Sequence, residues 1–223
     1  SSTVGASILE ATKLETNNLN SVTEVDKTSD GGSVAVGNFS SATMNFGEIE
    51  LKKYGVTTSV TDGYIAKYNE NNVIEWVKNI GGDEEVKFLA VEETHDNGYV
   101  VAGLFNSNIS FDDGRVLEYL SGGTNGLLIK FDQYGNIEWF RNIGSKIQEG
   151  LALEVTSDDG ILVAGSFWGD TLTLSNGGVL HNNSGTSNSA GDKYSDGMIV
   201  KYTSDGQVDW GKAINGVLAD RVT

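Results

Sequence analysis

The residues of this chain whose types could do chemistry recur at fixed spacing, and the spacing limits what they do. Trp76, Trp139 and Trp210 each follow a carboxylate, namely Glu75, Glu138 and Asp209. Such aromatic faces either stack on sugar rings or anchor a core, and a position that recurs favours the core between packed units. Lys67, Lys130 and Lys201 stand nine residues ahead of the tryptophans in each case. A buried lysine needs a partner, so each is expected to form an ion pair between units with Glu75, Glu138 or Asp209 rather than to line an anion channel. Trp168 has no counterpart and opens the longest insertion, which makes it a better ligand-binding candidate, because loops carry function disproportionately. His181 and Tyr194, in the same insertion, are grouped with it as candidate ligand-binding residues.

Other site chemistry is poorly supplied. His95 and His181 each stand alone, and a zinc site would need carboxylates brought in by the fold. The acidic turns Ser157-Asp158-Asp159-Gly160 and Asp112-Asp113-Gly114 lack the spaced calcium loop with its distant glutamate. There is no cysteine, so disulfides and thiolate chemistry are excluded. Glu84 and Glu85 are neighbours, and neighbours on a strand point to opposite faces, so they make no facing acid/base pair. Arg115, Arg141 and Arg221 occupy unlike positions and are not expected to converge on a substrate carboxylate. The chain is therefore read as non-catalytic, with no metal and no cofactor expected.

Composition narrows the partners. The chain has 223 residues, 38% of them hydrophobic, and a net charge of −16. That charge speaks against nucleic acid, whose phosphates want a basic stripe. No apolar run approaches the roughly 18–20 residues that cross a bilayer, so no membrane span is expected. With 29 glycines and no proline, many tight turns are expected.

Those turns frame a repeat. Val34-Ala35-Val36-Gly37-Asn38-Phe39, Val100-Val101-Ala102-Gly103-Leu104-Phe105 and Leu162-Val163-Ala164-Gly165-Ser166-Phe167 are one motif three times. Each follows a turn: Ser29-Asp30-Gly31-Gly32, His95-Asp96-Asn97-Gly98 and Ser157-Asp158-Asp159-Gly160. Downstream, Asp62-Gly63-Tyr64-Ile65-Ala66-Lys67-Tyr68 matches Asn125-Gly126-Leu127-Leu128-Ile129-Lys130-Phe131 and Asp196-Gly197-Met198-Ile199-Val200-Lys201-Tyr202. Each tryptophan strand then ends on Asn79-Ile80-Gly81-Gly82, Asn142-Ile143-Gly144-Ser145 or Ala213-Ile214-Asn215-Gly216.

In the middle unit, 85–94 reads as a first strand and 99–105 as a second, whose continuous apolar run suits burial on both faces. A loose stretch follows, with a small hairpin around Asp113-Gly114, and then strands over 126–131 and 136–142. The last turn of each unit needs a residue at positive φ, supplied by Gly135, Gly206 and, in the first unit, Asn72. Four antiparallel strands per unit, stacked face to face, is the pattern of a propeller blade. Helical spacing is confined to residues 6–17.

The shared string of turn glycine, apolar strand, Gly-x-Phe, Asp-Gly, apolar strand, Lys-Tyr/Phe, Gly-Asn turn, Trp and Ile-Gly-Gly resembles the bacterial β-propeller repeat family (SBBP). It is also similar to the related Asp-Gly-Gly repeats of secreted bacterial and archaeal proteins. The resemblance covers roughly residues 22–216. It implies an extracellular or cell-surface binding or spacer module and transfers no catalytic residues. The expectation is an all-β, β-propeller-type array of about three four-stranded antiparallel blades, part of a larger propeller. Residues 1–20 are a cap or linker, 21–84, 85–147 and 148–217 are blades, and 218–223 begin a further strand. The expected role is scaffold or protein-binding surface, the alternative is a carbohydrate-binding propeller, and the third is a glycoside hydrolase of sialidase type. Further blades of a parent chain, or a second copy, are the expected structural partners.

Overall fold

Short apolar runs between glycine, asparagine and aspartate turns fold here as strands, and no helix occurs among the described residues. The computed structural model describes residues 20–55, 59–148, 150–184 and 194–214. The helical spacing over 6–17 and the strand expected from 218 onward lie outside them.

The first sheet is built from β1 (Asn20–Lys27) and β2 (Ser33–Phe39), interrupted by a hairpin of β3 (Thr43–Phe46) and β4 (Ile49–Lys52), and completed by β5 (Asp62–Tyr68) and β6 (Ile74–Ile80). The second has β7 (Val86–Glu93) and β8 (Tyr99–Phe105), a hairpin of β9 (Ile109–Ser110) and β10 (Val116–Leu117), then β11 (Asn125–Phe131) and β12 (Ile137–Ser145). The third has β13 (Ala152–Val155) and β14 (Ile161–Phe167), a hairpin of β15 (Thr171–Thr173) and β16 (Val179–His181), then β17 (Asp196–Tyr202) and β18 (Val208–Ile214). All pairings are antiparallel, in the orders β1-β2-β5-β6, β7-β8-β11-β12 and β13-β14-β17-β18. The expected hairpin around Asp113-Gly114 is β9–β10, and the other two insertions hold hairpins as well.

The middle sheet is buried on both faces, and its strands alternate accordingly. Val101, Phe105, Leu127 and Ile129 pack toward the first sheet with Val34, Val36 and Ile65. Val100, Ala102, Leu104 and Leu128 pack toward the third with Val163, Phe167, Met198 and Val200. Period-2 alternation with both faces apolar gives the unbroken hydrophobic runs seen in the sequence. Each such side chain contributes about 1.5–3 kcal/mol of burial. The first strands of successive sheets also meet, β1 against β7 and β7 against β13.

Candidate functional site

The junctions between sheets carry most of the molecule's polar and aromatic detail. At the first, Trp76 leaves β6 and donates from Nε1 to the Gln133 carbonyl at 3.0 Å, with Tyr99 5.7 Å from its ring. At the second, Trp139 donates to the Ser204 carbonyl at 3.0 Å. Both acceptors sit in the turn between the third and fourth strands of the next sheet. Each ring covers that turn's glycine so closely that a Cβ on Gly135 or Gly206 would lie 2.8 Å from the indole. Both glycines also hold positive φ, 78° and 76°. Glycine is needed here for its conformation and for the space it leaves. Arg141 reinforces the second junction. It lies 5.3 Å from the Trp139 ring and donates to the carbonyls of Gly206 and Asp205 at 2.7 and 2.8 Å.

The tryptophans thus anchor neighbouring sheets, with one departure from the expectation. Trp210 is 37% exposed and, among the described residues, its Nε1 meets no acceptor. Lys212 Nζ lies 5.4 Å from its ring.

The lysines correct the expected pairing. Each ion pair closes inside one sheet, not between sheets. Lys67, 2% exposed, binds Asp30 at 2.8 Å, Glu75 at 3.2 Å and the Tyr68 carbonyl at 2.8 Å. Lys130 repeats this with Asp96, Glu138 and the Phe131 carbonyl. Three acceptors satisfy the three donors of an ammonium. Among the described residues Lys201 pairs with Asp158 alone, and the shorter Asp209 makes no ion pair with it.

A β-bulge explains how Glu75 and Glu138 arrive. Lys67 faces Trp76 and Tyr68 faces Ile74, so Glu75 is the extra residue, as Glu138 is between Ile137 and Trp139. A bulge re-aims a side chain that simple alternation would point away. Asp30, Asp96 and Asp158 were missed as partners. They come from the turn between the first two strands, where Thr28, Thr94 and Thr156 donate to them. The Lys67 ammonium, the Thr28 hydroxyl and the Gly32 amide pull the Asp30 carboxyl down to about 2. Lys201 and Thr156 do the same for Asp158, also to about 2. Lys67 and Lys130 are thus fully engaged and offer no free cation to a ligand.

Two clefts lie at the junctions. One, of about 340 Å³, is lined by His95, Asp96, Lys130, Asp159 and Ser204 among others. His95 Nδ1 lies 2.6 Å from Asp159, which links the turns of the second and third sheets. Ser204 gives its carbonyl to Trp139, and among the described residues no hydrogen bond joins its hydroxyl to His95. The larger cleft, about 500 Å³, opens between the hairpins β3–β4 and β9–β10. Tyr54, Glu50, Asn79, Phe111, Asp112 and Asn136 line it. Its volume suits a small ligand, and it joins apolar walls to a few polar groups.

Two residues of this cleft, Tyr54 and Asn79, hold the buried carboxyl of Asp62. Its Oδ2 accepts from the Tyr54 amide at 2.7 Å and from Asn79 at 3.2 Å, whereas Oδ1 has no partner. Burial pushes its carboxyl up, against the pull of those two hydrogen bonds and of Lys53. Asn125 fills the equivalent place in the second sheet. Its amide nitrogen donates to the carbonyls of Leu120 and Gly123, both at 2.8 Å.

The three residues singled out as ligand-binding candidates line neither cleft. Trp168 is half-buried at the second junction, over Gly123, with Lys146 Nζ 5.3 Å from its ring. His181 is exposed at the end of β16, and Tyr194 lends its carbonyl to Asn182 and Ser184, each at 2.7 Å. The backbone links them loosely: Asn182 also donates to the Asp170 carbonyl, two residues beyond Trp168. Arg115 and Arg141 do not converge. Arg115 donates to the carbonyls of Glu138 and Ile137, and Arg141 to the turn across the junction. Arg221 lies outside the described residues. Among the described residues no group of three metal-ligating side chains assembles. No protein-family model and no curated protein matches the chain.

Proposed function

We propose that the chain is a run of β-propeller blades in a non-catalytic extracellular or cell-surface module that serves as a scaffold or protein-binding surface. The observation that carries this reading is the repeated junction. Two successive sheets stack face to face, with their first strands adjacent and the same tryptophan held over the same glycine turn. A stack of sheets joined by one repeated contact rotates by a similar step each time, which is how blades surround an axis. The repeated polar groups support the non-catalytic part, because Lys67 and Lys130 are satisfied by carboxylates of their own sheet.

The cleft of about 500 Å³ favours one second reading, that of a carbohydrate-binding propeller. Tyr54 would supply the stacking face, and Glu50 and Asp112 the acceptors for sugar hydroxyls. A glycan array with the full chain separates the two. The scaffold reading expects no saturable sugar binding; specific binding lost in Tyr54→Ala would replace it with the carbohydrate reading.

A further inference from the structure

We propose that the cleft between the hairpins β3–β4 and β9–β10 docks a short segment of a protein partner in which an aliphatic side chain stands two residues from an arginine, with Asp112 and Tyr54 receiving the guanidinium. The inference rests on the protein-binding reading above and names the chemistry of the partner.

The cleft, of about 500 Å³, is lined unevenly. Val77, Ile80 and Phe111 are buried, and Ile49 and Ile137 are half-buried. Tyr54, Glu50 and Asp112 are exposed. Apolar walls therefore lie deeper than the polar rim. That order suits a peptide that inserts one apolar side chain and lays a charged one across the edge.

The rim fixes the sign of that charge. Among the described residues, Glu50, Asp112 and Asp113 line the cleft against a single cation, Lys78. Asp113 is already taken by Arg115, whose Nη2 lies 2.6 Å away. Lys78 offsets Glu50 in number, and Asp112 is left over. Asp112 also acts on Tyr54: burial pushes the Tyr54 hydroxyl up, and the Asp112 and Asp62 carboxylates push it further. Tyr54 follows β4 in the first insertion and Asp112 stands between β9 and β10 in the second, so a ring and a carboxylate meet here from two sheets.

Arginine fits such a pair better than lysine, because its planar head stacks on an aromatic face while donating to a carboxylate. The molecule holds a guanidinium of its own this way. Arg115 donates from Nε to Asp113 at 2.6 Å and lies 5.2 Å from the Phe140 ring, which stacks on Phe111 at 4.3 Å. Asp112 and Tyr54 offer a second seat of the same kind.

Titration of the isotope-labelled full chain with the blocked peptide acetyl-Leu-Gly-Arg-Gly amide, followed by nuclear magnetic resonance, tests this. The control peptide carries citrulline, a neutral head of the same shape, in place of arginine. Saturable shifts are expected at the cleft residues, with citrulline binding about tenfold more weakly, the combined effect of an exposed charge pair and an exposed cation–π contact. Asp112→Asn should weaken the arginine peptide about threefold and leave the citrulline peptide unchanged. Glu70→Gln, which removes an exposed carboxylate outside the cleft, should change neither. Equal binding of the two peptides, or no saturable shift at the cleft, would overturn the proposal. So would an arginine preference that survives Asp112→Asn combined with Tyr54→Ala, since general attraction to a chain of net charge −16 would then explain it. Failure here leaves the protein-binding reading to other surfaces, whereas saturable sugar binding lost in Tyr54→Ala would remove both.

Discussion

Trp139 and Trp210 stand at the same strand position, each beneath a basic side chain, and they do different work. Trp139 is held by the Ser204 carbonyl and closes over Gly206; Trp210 meets no acceptor among the described residues. The contrast shows that a residue's contribution is set by the neighbouring sheet, not by its own strand. A stability series can break that statement.

The largest effect is expected for Trp139→Ala, about 3 kcal/mol, at the low end for a large aromatic because the ring is half-buried. Urea melts read it directly, and a loss below about 1 kcal/mol would mean the junction is held mainly by its apolar core. Gly206→Ala follows, at about 2 kcal/mol, because it combines a Cβ against the ring with a φ that side chains disfavour. Pairing it with Trp139→Ala sharpens the point. With the ring gone the alanine should cost only its backbone strain, so the double variant should be less than additive.

Asp62→Asn tests the same idea with a gain. Asn125 at the equivalent place donates two hydrogen bonds where Asp62 leaves Oδ1 unpartnered. Burial raises the Asp62 carboxyl above its unfolded value, so the native state binds the extra proton in the window between the two values. Stability from this group is therefore lost as pH rises through that window. The asparagine should stabilise by about 1 kcal/mol at pH 7, with the gain shrinking once Asp62 is protonated in both states. Melts at neutral and acid pH that show a constant difference would exclude the carboxyl as the cause. Trp210→Ala should change stability least, within about 0.5 kcal/mol, as for other surface positions. A loss equal to that of Trp139→Ala would show that the third sheet's outer face is already occupied.

How much of this was legible beforehand depends on how local the signal is. The apolar run at 99–105 became β8 with those bounds, the third copy of its motif lies in β14, and Gly135, Gly206 and Asn72 took the positive φ assigned to them. Alternation and turn chemistry act between residues a few places apart, so the sequence carries them openly. The lysine partners were half legible. Glu75 and Glu138 were named as partners between units, yet they pair within a sheet, because a bulge turns them toward a lysine across the same ladder. Asp30, Asp96 and Asp158 were read only as turn formers, since nothing in a turn announces the cation that will pass beneath it. Trp168 looked free because its loop is unmatched, and it packs on Gly123 from a different insertion. The sequence alone determined the strands, their turns and the recurrence of the anchors. Only the tertiary structure decided which anchors are engaged, because a tryptophan is buried or bare according to whether another sheet brings a carbonyl and a bare glycine to it.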